Sequence, residues 1–337
     1  MVLVTGATGF LGSELALQLA KQGNRFRCTK RTSSSIPEIL LPFEAIIEWV
    51  DADLLDVFAL EDALQGITQV YHCAAWVSLK RTDKKPMIKT NIAGTANLVN
   101  LCLQQKIRML HVSSVAAIGL AKPGDPINEN HNLDLDREDD GYAISKLESE
   151  MEVWRGIAEG LHAVIVNPSI IIGANAGAKG SGQLFETVRK GLKFYTSGSC
   201  GFVDVEDVAK SMIALMNSKT NAERYIISAE NRNYKQLTTE IAERFGTKPP
   251  ARHANALMMG IAWRGAALAA ALTGKQPAID KVSAQAASIT RDYDNSKIKK
   301  AIGIDFKPIS VTIKEICEKL APPKSSPVGR TLANNTK

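Results

Sequence analysis

The five cysteines, Cys28, Cys73, Cys102, Cys200 and Cys317, are dispersed, and no two form a Cys-x-x-Cys pair. That excludes the common zinc knuckles and dithiol redox motifs, so no metal site is expected. An odd, scattered set of thiols suits a reducing cytoplasm, the expected location, with Cys73 as a buried structural thiol. Aromatic residues are scarce, at 6%, and none interleaves the basic stretch 80–89 or the Pro/Ser/Asn-rich tail 322–337. The net charge of +6 is therefore read as solvated surface, with no nucleic acid partner. Long apolar runs are also missing. The most apolar later stretch, 254–272, carries Arg264 at its middle. A span needs about 20 largely uncharged apolar residues, so this stretch reads as a buried or lobe-forming helix, with membrane association the lesser alternative. Met1 leads straight into a strand, so no signal peptide is expected. There is no internal repeat. The remaining composition, 45% hydrophobic and 23% charged over 337 residues, is that of a globule with one large α/β domain, alone or with a smaller lobe.

The opening stretch, Met1-Val-Leu-Val-Thr-Gly-Ala-Thr-Gly-Phe-Leu-Gly12, organises the rest. An apolar run at 2–4 reads as a strand, and 13–21 has helical spacing, with Leu11, Leu15 and Leu19 on one stripe. Between them Gly6, Gly9 and Gly12 recur every third residue. Glycines permit a sharp turn and let backbone N–H groups approach a pyrophosphate, which the helix N-terminus also attracts. A second strand at 25–31 ends in Lys30 and Arg31, where an acid would accept from a ribose 2′-OH and a base would accommodate a 2′-phosphate. Further strands are read at 45–50, 69–75, 108–114 and 162–166. After the third, Asp53 can accept from an adenine amino group or cap the next helix at 57–64. Ala74 and Ala75 end the fourth strand with small residues that permit close approach. Ser113 and Ser114 stand at the end of the fifth, where an open parallel sheet places ligands. Tyr142 and Lys146 are four apart, so a helix puts them on one face.

Together these segments resemble the extended short-chain dehydrogenase/reductases, the NAD-dependent epimerase/dehydratase family, and within it the dihydroflavonol reductase-like members. The resemblance rests on Thr5-Gly-Ala-Thr-Gly-Phe-Leu-Gly12, Asn91-Ile-Ala-Gly-Thr-Ala-Asn97, Ser114 followed by Gly119, Tyr142-Ala-Ile-Ser-Lys146 and Val203-Asp-Val-Glu-Asp207-Val-Ala. It covers residues 1–230 with ordered motifs and the remainder more loosely. The resemblance implies a Rossmann-type doubly wound parallel sheet with a smaller, mostly helical C-terminal substrate lobe. Residues 1–168 and 201–230 would form the dinucleotide domain, 169–200 and 231–321 the lobe, and 322–337 a disordered tail.

The resemblance also implies the site. Gly6, Thr8, Gly9, Phe10, Leu11 and Gly12 would cradle the pyrophosphate, and Lys30 and Arg31 would meet the adenosine, with Arg31 the favoured contact. Asp53 and Leu54 would line the adenine, Ala74 and Ala75 the cofactor backbone, and Asn167, Pro168 and Ile170 the nicotinamide. His72 matches a structural position and reads as a packed neutral imidazole. Ser114, Tyr142, Lys146 and Asn91 would be catalytic, Asn91 organising water or substrate, and Asp207 would cap a helix. Trp76, Val77, Ile118, Leu184, Phe185 and Tyr195 would line the lobe, and a small molecule would be the partner, with a homodimer left open.

The chemistry expected is hydride transfer at a carbon bearing oxygen. A lysine ammonium beside a tyrosine favours the phenolate and should lower the Tyr142 pKa from its usual value near 10. Tyr142 would be the acid in reduction and the base in oxidation, and Ser114 would stabilise charge on the substrate oxygen. Three readings stay open. The first is an NADP(H)-dependent reductase or dehydrogenase of a small organic substrate, NAD(H) being the second cofactor choice. The others are a nucleotide-sugar epimerase or dehydratase holding NAD, and a regulatory protein that only binds cofactor. The basic pair 30–31 and the lack of an arginine at 167 favour the first.

Overall fold

A computed structural model describes residues 1–78, 81–122, 124–135, 138, 140–177, 180–273 and 288–321. The expected disordered tail, 322–337, lies outside the described residues, as does Lys80 of the basic stretch. The chain begins with β1 (Val2–Thr5), α1 (Phe10–Lys21), β2 (Phe26–Lys30), β3 (Ile47–Asp51), α2 (Val57–Ala63) and β4 (Gln69–His72). It continues with α3 (Lys84–Gln104), β5 (Arg108–Val112), α4 (Gly141–Ala158) and β6 (Ala163–Pro168). Next come β7 (Ile170–Ile172), α5 (Gly182–Arg189), β8 (Phe194–Tyr195), β9 (Ser199–Asp204), α6 (Val205–Asn217) and β10 (Glu223–Ile227). The last described elements are β11 (Glu230–Asn233), α7 (Tyr234–Phe245), β12 (Arg252–His253), α8 (Ala256–Thr273), α9 (Ser296–Ile302) and α10 (Ile309–Leu320).

Seven strands form one parallel sheet in the order β10-β6-β5-β4-β1-β2-β3. From β1 the chain runs outward to β2 and β3, then crosses back to place β4 on the other side of β1. The order therefore reverses between β1 and β4, which opens a crevice at their C-terminal ends. Both faces of this sheet are covered, which is why its strands read as nearly continuous apolar runs. Val4, Tyr71, Leu110 and Val164 stand in register and point into one core with Leu15, Leu19, Val208 and Met212 of α1 and α6. Their neighbours Leu3, Val70, Met109 and Ala163 point the other way, onto Leu60, Leu98, Val99 and Val153 of α2, α3 and α4.

α9 packs against β10 and α6, and the other remaining elements build a smaller lobe of helices around two short sheets, β11-β9-β7 and β12-β8. Its core joins Phe185, Phe202, Leu237, Ile241, Ile313 and Ile316. Phe185 therefore belongs to this core and Leu184 packs against it, while Tyr195 stacks on His253. None of the three lines the cleft, contrary to expectation, because the helix and strands that carry them turn these rings into the lobe's own packing.

Two further expectations are corrected. The stretch at 254–272 forms helix α8, and of its two readings, buried or lobe-forming, the buried one fails for the described side chains: Ile261 is 65% exposed and Arg264 lies over the Trp263 ring. Asp207 does not cap α6. The helix begins at Val205, so Asp204 holds the capping position and accepts from the Glu206 N–H at 2.8 Å. Asp207 lies buried in the first turn, where it accepts from the Lys307 backbone N–H and pairs with Lys210. Among the described residues no helix is long and apolar enough to cross a membrane.

Candidate active site

The site is built where strands stop. β4 ends at His72 and β5 at Val112, a little earlier than the residue pattern predicts, so 73–75 and 113–114 leave the sheet at the crevice. A cleft of about 1150 Å³ opens there, lined by the Gly6–Gly12 turn, Ala75, Ser114, Tyr142, Lys146, the 168–171 segment and part of the lobe.

The glycine turn is fitted for a phosphate. Gly6 adopts φ +72°, and a Cβ on it would lie 2.6 Å from the Ala74 nitrogen. A Cβ on Gly12 would lie 2.2 Å from the Gly6 carbonyl oxygen. No side chain can occupy either position, so the turn stays tight against β4. Gly9 precedes α1 without any side-chain cap, which leaves the first N–H groups of the helix available. An uncapped helix start in a cradle of bare backbone fits a dinucleotide pyrophosphate. Phe10 and Leu11 line the same wall, and Thr8 sits in the turn between Gly6 and Gly9.

At the adenosine side, Lys30 is held by Asp51 of β3 at 2.6 Å, whereas Arg31, just past the end of β2, is exposed. Asp53 is exposed and accepts from the Leu55 N–H at 2.9 Å. The cap of α2 is Asp56, which accepts from the Ala59 N–H at 3.0 Å, so Asp53 is free of that task. Leu54 packs so closely on α3 that a Cβ at Gly94 would meet its Cβ at 2.7 Å, and Asn97 donates to the Leu54 carbonyl at 3.0 Å.

The motif 91–97 thus acts as a clamp on the loops after β3 and β4. Asn91 accepts from the Trp76 N–H at 2.7 Å and donates to the Trp76 carbonyl and to Ser145 Oγ, each at 2.8 Å. Its amide is committed to the 74–78 segment and does not face the cleft, contrary to the expectation that it orders water or substrate. Thr95 reaches His72 Nε2 at 3.2 Å, and Thr5 shares a 2.8 Å hydrogen bond with Nδ1. Burial first, and then the Lys146 charge, push the His72 pKa down to about 3, so this imidazole is neutral packing. Cys73 is half-exposed and lines the cleft, although burial still pushes its thiol up to about 12.

Ser114, Tyr142 and Lys146 come together. Asp140 caps α4 by accepting from the Tyr142 N–H at 2.9 Å, which sets the start of the helix and hence the direction of the tyrosine. The Tyr142 phenol and the Ser114 hydroxyl face the same cleft. The Tyr142 pKa is raised: burial outweighs the lowering influence of the Ser114 hydroxyl, and the Asp140 charge adds to the rise. The expected lowering by Lys146 is not found. Lys146 is itself buried and donates to the Val112 carbonyl at 2.9 Å; burial brings its own pKa down to about 8, against the opposing influence of Cys73 and Glu150. Ser113 differs from its neighbour. Its hydroxyl is buried without a partner among the described residues, whereas Ser114 Oγ is within reach of both Tyr142 and the Ala116 N–H. Gly119 is required because the 132–133 backbone crosses there; a Cβ would lie 2.0 Å from the Asn132 oxygen.

Asn167 does not touch the cleft. It is fully buried and donates to the Ser114 carbonyl at 3.0 Å and to Glu150 at 2.8 Å. Pro168, Ser169, Ile170 and Ile171 form the wall in its place. Val77 and Ile118 line the cleft as expected, and Trp76 does not. Cys200, Tyr234, Arg291 and Tyr293 also line it, and residue spacing missed them. Arg291 and Tyr293 lie inside the late Arg-Asp-Tyr-Asp-Asn-Ser-Lys stretch, but only the fold brings that stretch to the cleft.

Comparison with known proteins accounts for this arrangement. The NAD dependent epimerase/dehydratase family matches residues 2–228. The protein named "Putative dihydroflavonol 4-reductase" from Synechocystis sp. is 30% identical over 311 residues, 89% of each chain. Anthocyanidin reductase from Arabidopsis thaliana is 29% identical over 270 residues, 72% of this chain and 79% of its own. The crystal structure of gox2253 superposes with a TM-score of 0.81 at 28% identity, covering 95% of this chain and 97% of that one. The chain belongs to the NAD dependent epimerase/dehydratase family and is an NAD(P)-dependent oxidoreductase of the extended short-chain dehydrogenase/reductase type.

Proposed function

We propose that the protein is an NADP(H)-dependent reductase that converts a carbonyl of a small organic substrate to an alcohol, or the reverse, with Tyr142 as the acid or base. The observation that carries this reading is that Ser114, Tyr142 and Lys146 line the same cleft as the Gly6–Gly12 cradle. Asp53, Leu54, Ala74, Ala75, Pro168 and Ile170 complete the cofactor contacts in this reading. A bound nicotinamide supplies the hydride to the carbonyl carbon, or takes it from the alcohol. Ser114 donates to the substrate oxygen and stabilises the charge that develops there. Tyr142 then passes its phenolic proton to that oxygen. A phenol whose pKa is raised holds its proton at neutral pH, which suits the reducing direction. An ammonium has three donors; Lys146 spends one on Val112 and keeps the others for ribose hydroxyls and for Tyr142.

Cofactor choice follows from the end of β2. Asp51 neutralises Lys30, so Arg31 is the group that offers a 2′-phosphate two parallel hydrogen bonds. The relatives named as reductases support net reduction over epimerisation. The family description also covers epimerases, which return the hydride to their substrate. Incubation with NADPH and a panel of ketones and aldehydes is the deciding test. Loss of nicotinamide absorbance in step with alcohol formation is expected. Conversion of a UDP- or TDP-sugar with no net absorbance change would establish the epimerase reading instead.

A further inference from the structure

The lobe side of the cleft contains a cation that the chemistry above does not use. Arg27, Arg155, Arg189, Arg224 and Arg232 each hold a carboxylate. Arg291 lines the cleft, and its guanidinium pairs with no acid among the described residues. Its sequence neighbours are engaged elsewhere. Asp292 accepts from Ser199 Oγ at 2.7 Å, and Asp294 accepts from the Ser296 N–H at 2.8 Å.

The backbone around Arg291 is held on both sides. Its N–H donates to the Ser199 carbonyl at 3.1 Å, and Thr290 bridges to Ser199. Tyr293 donates from its N–H to Asn231 Oδ1 at 2.9 Å, while its carbonyl accepts from Asn231 Nδ2 at 3.0 Å. Ile127 donates to the Asp292 carbonyl at 2.7 Å. The arginine is therefore presented from a rigid segment, as a binding group should be.

Cys200, Tyr234 and Tyr293 surround it on the cleft wall. Burial raises the pKa of all three, and the Arg291 charge partly offsets that rise. Arg291 is half-buried on a wall that includes Tyr234 and Tyr293, and a cation that gives up water without a counter-charge is unfavourable until an anion arrives. Its planar fork matches an oxyanion with two parallel hydrogen bonds. Three acids, Asp134, Glu138 and Asp140, line the same cleft.

We propose that Arg291 is the docking point for an oxyanion on the substrate, a carboxylate or a phosphate, held between Tyr234 and Tyr293 while the carbonyl lies at Ser114 and Tyr142. This rests on the carbonyl-reductase reading, and it narrows the substrate class to anionic carbonyl compounds.

The test compares 4-carboxybenzaldehyde, its methyl ester and 4-formylphenyl phosphate, with NADPH, in the wild type, Arg291→Gln and Arg291→Lys. Charge-assisted hydrogen bonds of this kind should favour the acid over the ester by about 10- to 100-fold in kcat/KM, mainly through KM. The preference should fall close to one in Arg291→Gln and stay intermediate in Arg291→Lys, which keeps the charge but loses the fork. Preference for the phosphate over the carboxylate would identify the oxyanion as a phosphoester. In parallel, benzoate and methyl benzoate are titrated into the NADP⁺-loaded enzyme by thermal shift. Benzoate binding that depends on Arg291 without any NADPH consumption would keep the subsite and reject the reductase reading. Equal turnover of acid and ester in the wild type would keep the reductase and reject the subsite, as would a preference that survives in Arg291→Gln. Absence of benzoate binding together with absence of turnover would also overturn it.

Discussion

Asn167 bridges Glu150 to Ser114: one amide nitrogen donates to the Glu150 carboxylate at 2.8 Å and to the Ser114 carbonyl at 3.0 Å. The other Glu150 oxygen accepts from Arg224 at 3.0 Å, so edge strand β10, helix α4 and strand β6 all converge on the Ser114 backbone. Asn167→Leu would leave the buried Glu150 carboxylate oxygen without its donor, while the Ser114 carbonyl would keep only the Ala117 N–H at 3.0 Å. An orphaned buried group costs about 1–3 kcal/mol, so a loss of at least that size is expected in urea unfolding. A fall in kcat should accompany it. Wild-type stability in this variant would mean that the bridge is unimportant.

Removal of the phenol in Tyr142→Phe should cut turnover by about 10²- to 10⁴-fold, the usual contribution of a positioned acid. NADPH affinity, measured by fluorescence titration, should change little. Ser114→Ala should lose on the order of 10²-fold, as for one oxyanion donor. Ser113→Ala should be nearly silent, because it deletes a buried hydroxyl that has no partner among the described residues. A larger loss at 113 than at 114 would reassign the polarising serine.

The lowered Lys146 pKa, about 8, predicts two pH effects. The unfolded chain binds this proton up to the ordinary lysine value, and the folded protein releases it near 8. Between those limits the unfolded state holds more protons, so the lysine's contribution to stability rises with pH through that window. Carbonyl reduction should show the opposite trend, with kcat/KM bending downward above about pH 8 as the ammonium is lost. Tyr142 cannot cause that bend, since its pKa is raised above the ordinary phenol value. The residual activity of Lys146→Arg should lack it. A wild-type profile flat from pH 7 to about 10 would remove Lys146 from the mechanism.

Arg31→Ala should weaken NADPH binding by roughly 10- to 100-fold, the worth of one or two charge-assisted hydrogen bonds, and leave NADH binding nearly unchanged. Lys30→Ala should have the smaller effect, because Asp51 already holds that ammonium. Calorimetric titration of both cofactors decides the matter. Wild-type binding of NADH as tight as that of NADPH would end the NADP(H) assignment and strengthen the epimerase reading.

The sequence by itself determined the sheet and the glycine turn, and put Tyr142 and Lys146 on one helix face; the family resemblance singled out Ser114, Tyr142 and Lys146 as a set. The first three depend on local rules: strand length, a helix that places residues four apart on one face, and a turn that excludes side chains. His72 as neutral packing was legible from the family resemblance. Tertiary structure decided where each side chain spends its hydrogen bonds. Asn91 and Asn167 look like cleft residues in the sequence, yet both amides are used on backbone and carboxylate partners far away along the chain. It also decided the sign of the Tyr142 shift, because the depth of burial depends on how α4, β5 and the loops close over the phenol. The lobe wall of Cys200, Tyr234, Arg291 and Tyr293 exists only after β9, α7 and the 290–294 segment meet, since no spacing rule links residues brought together by long-range packing.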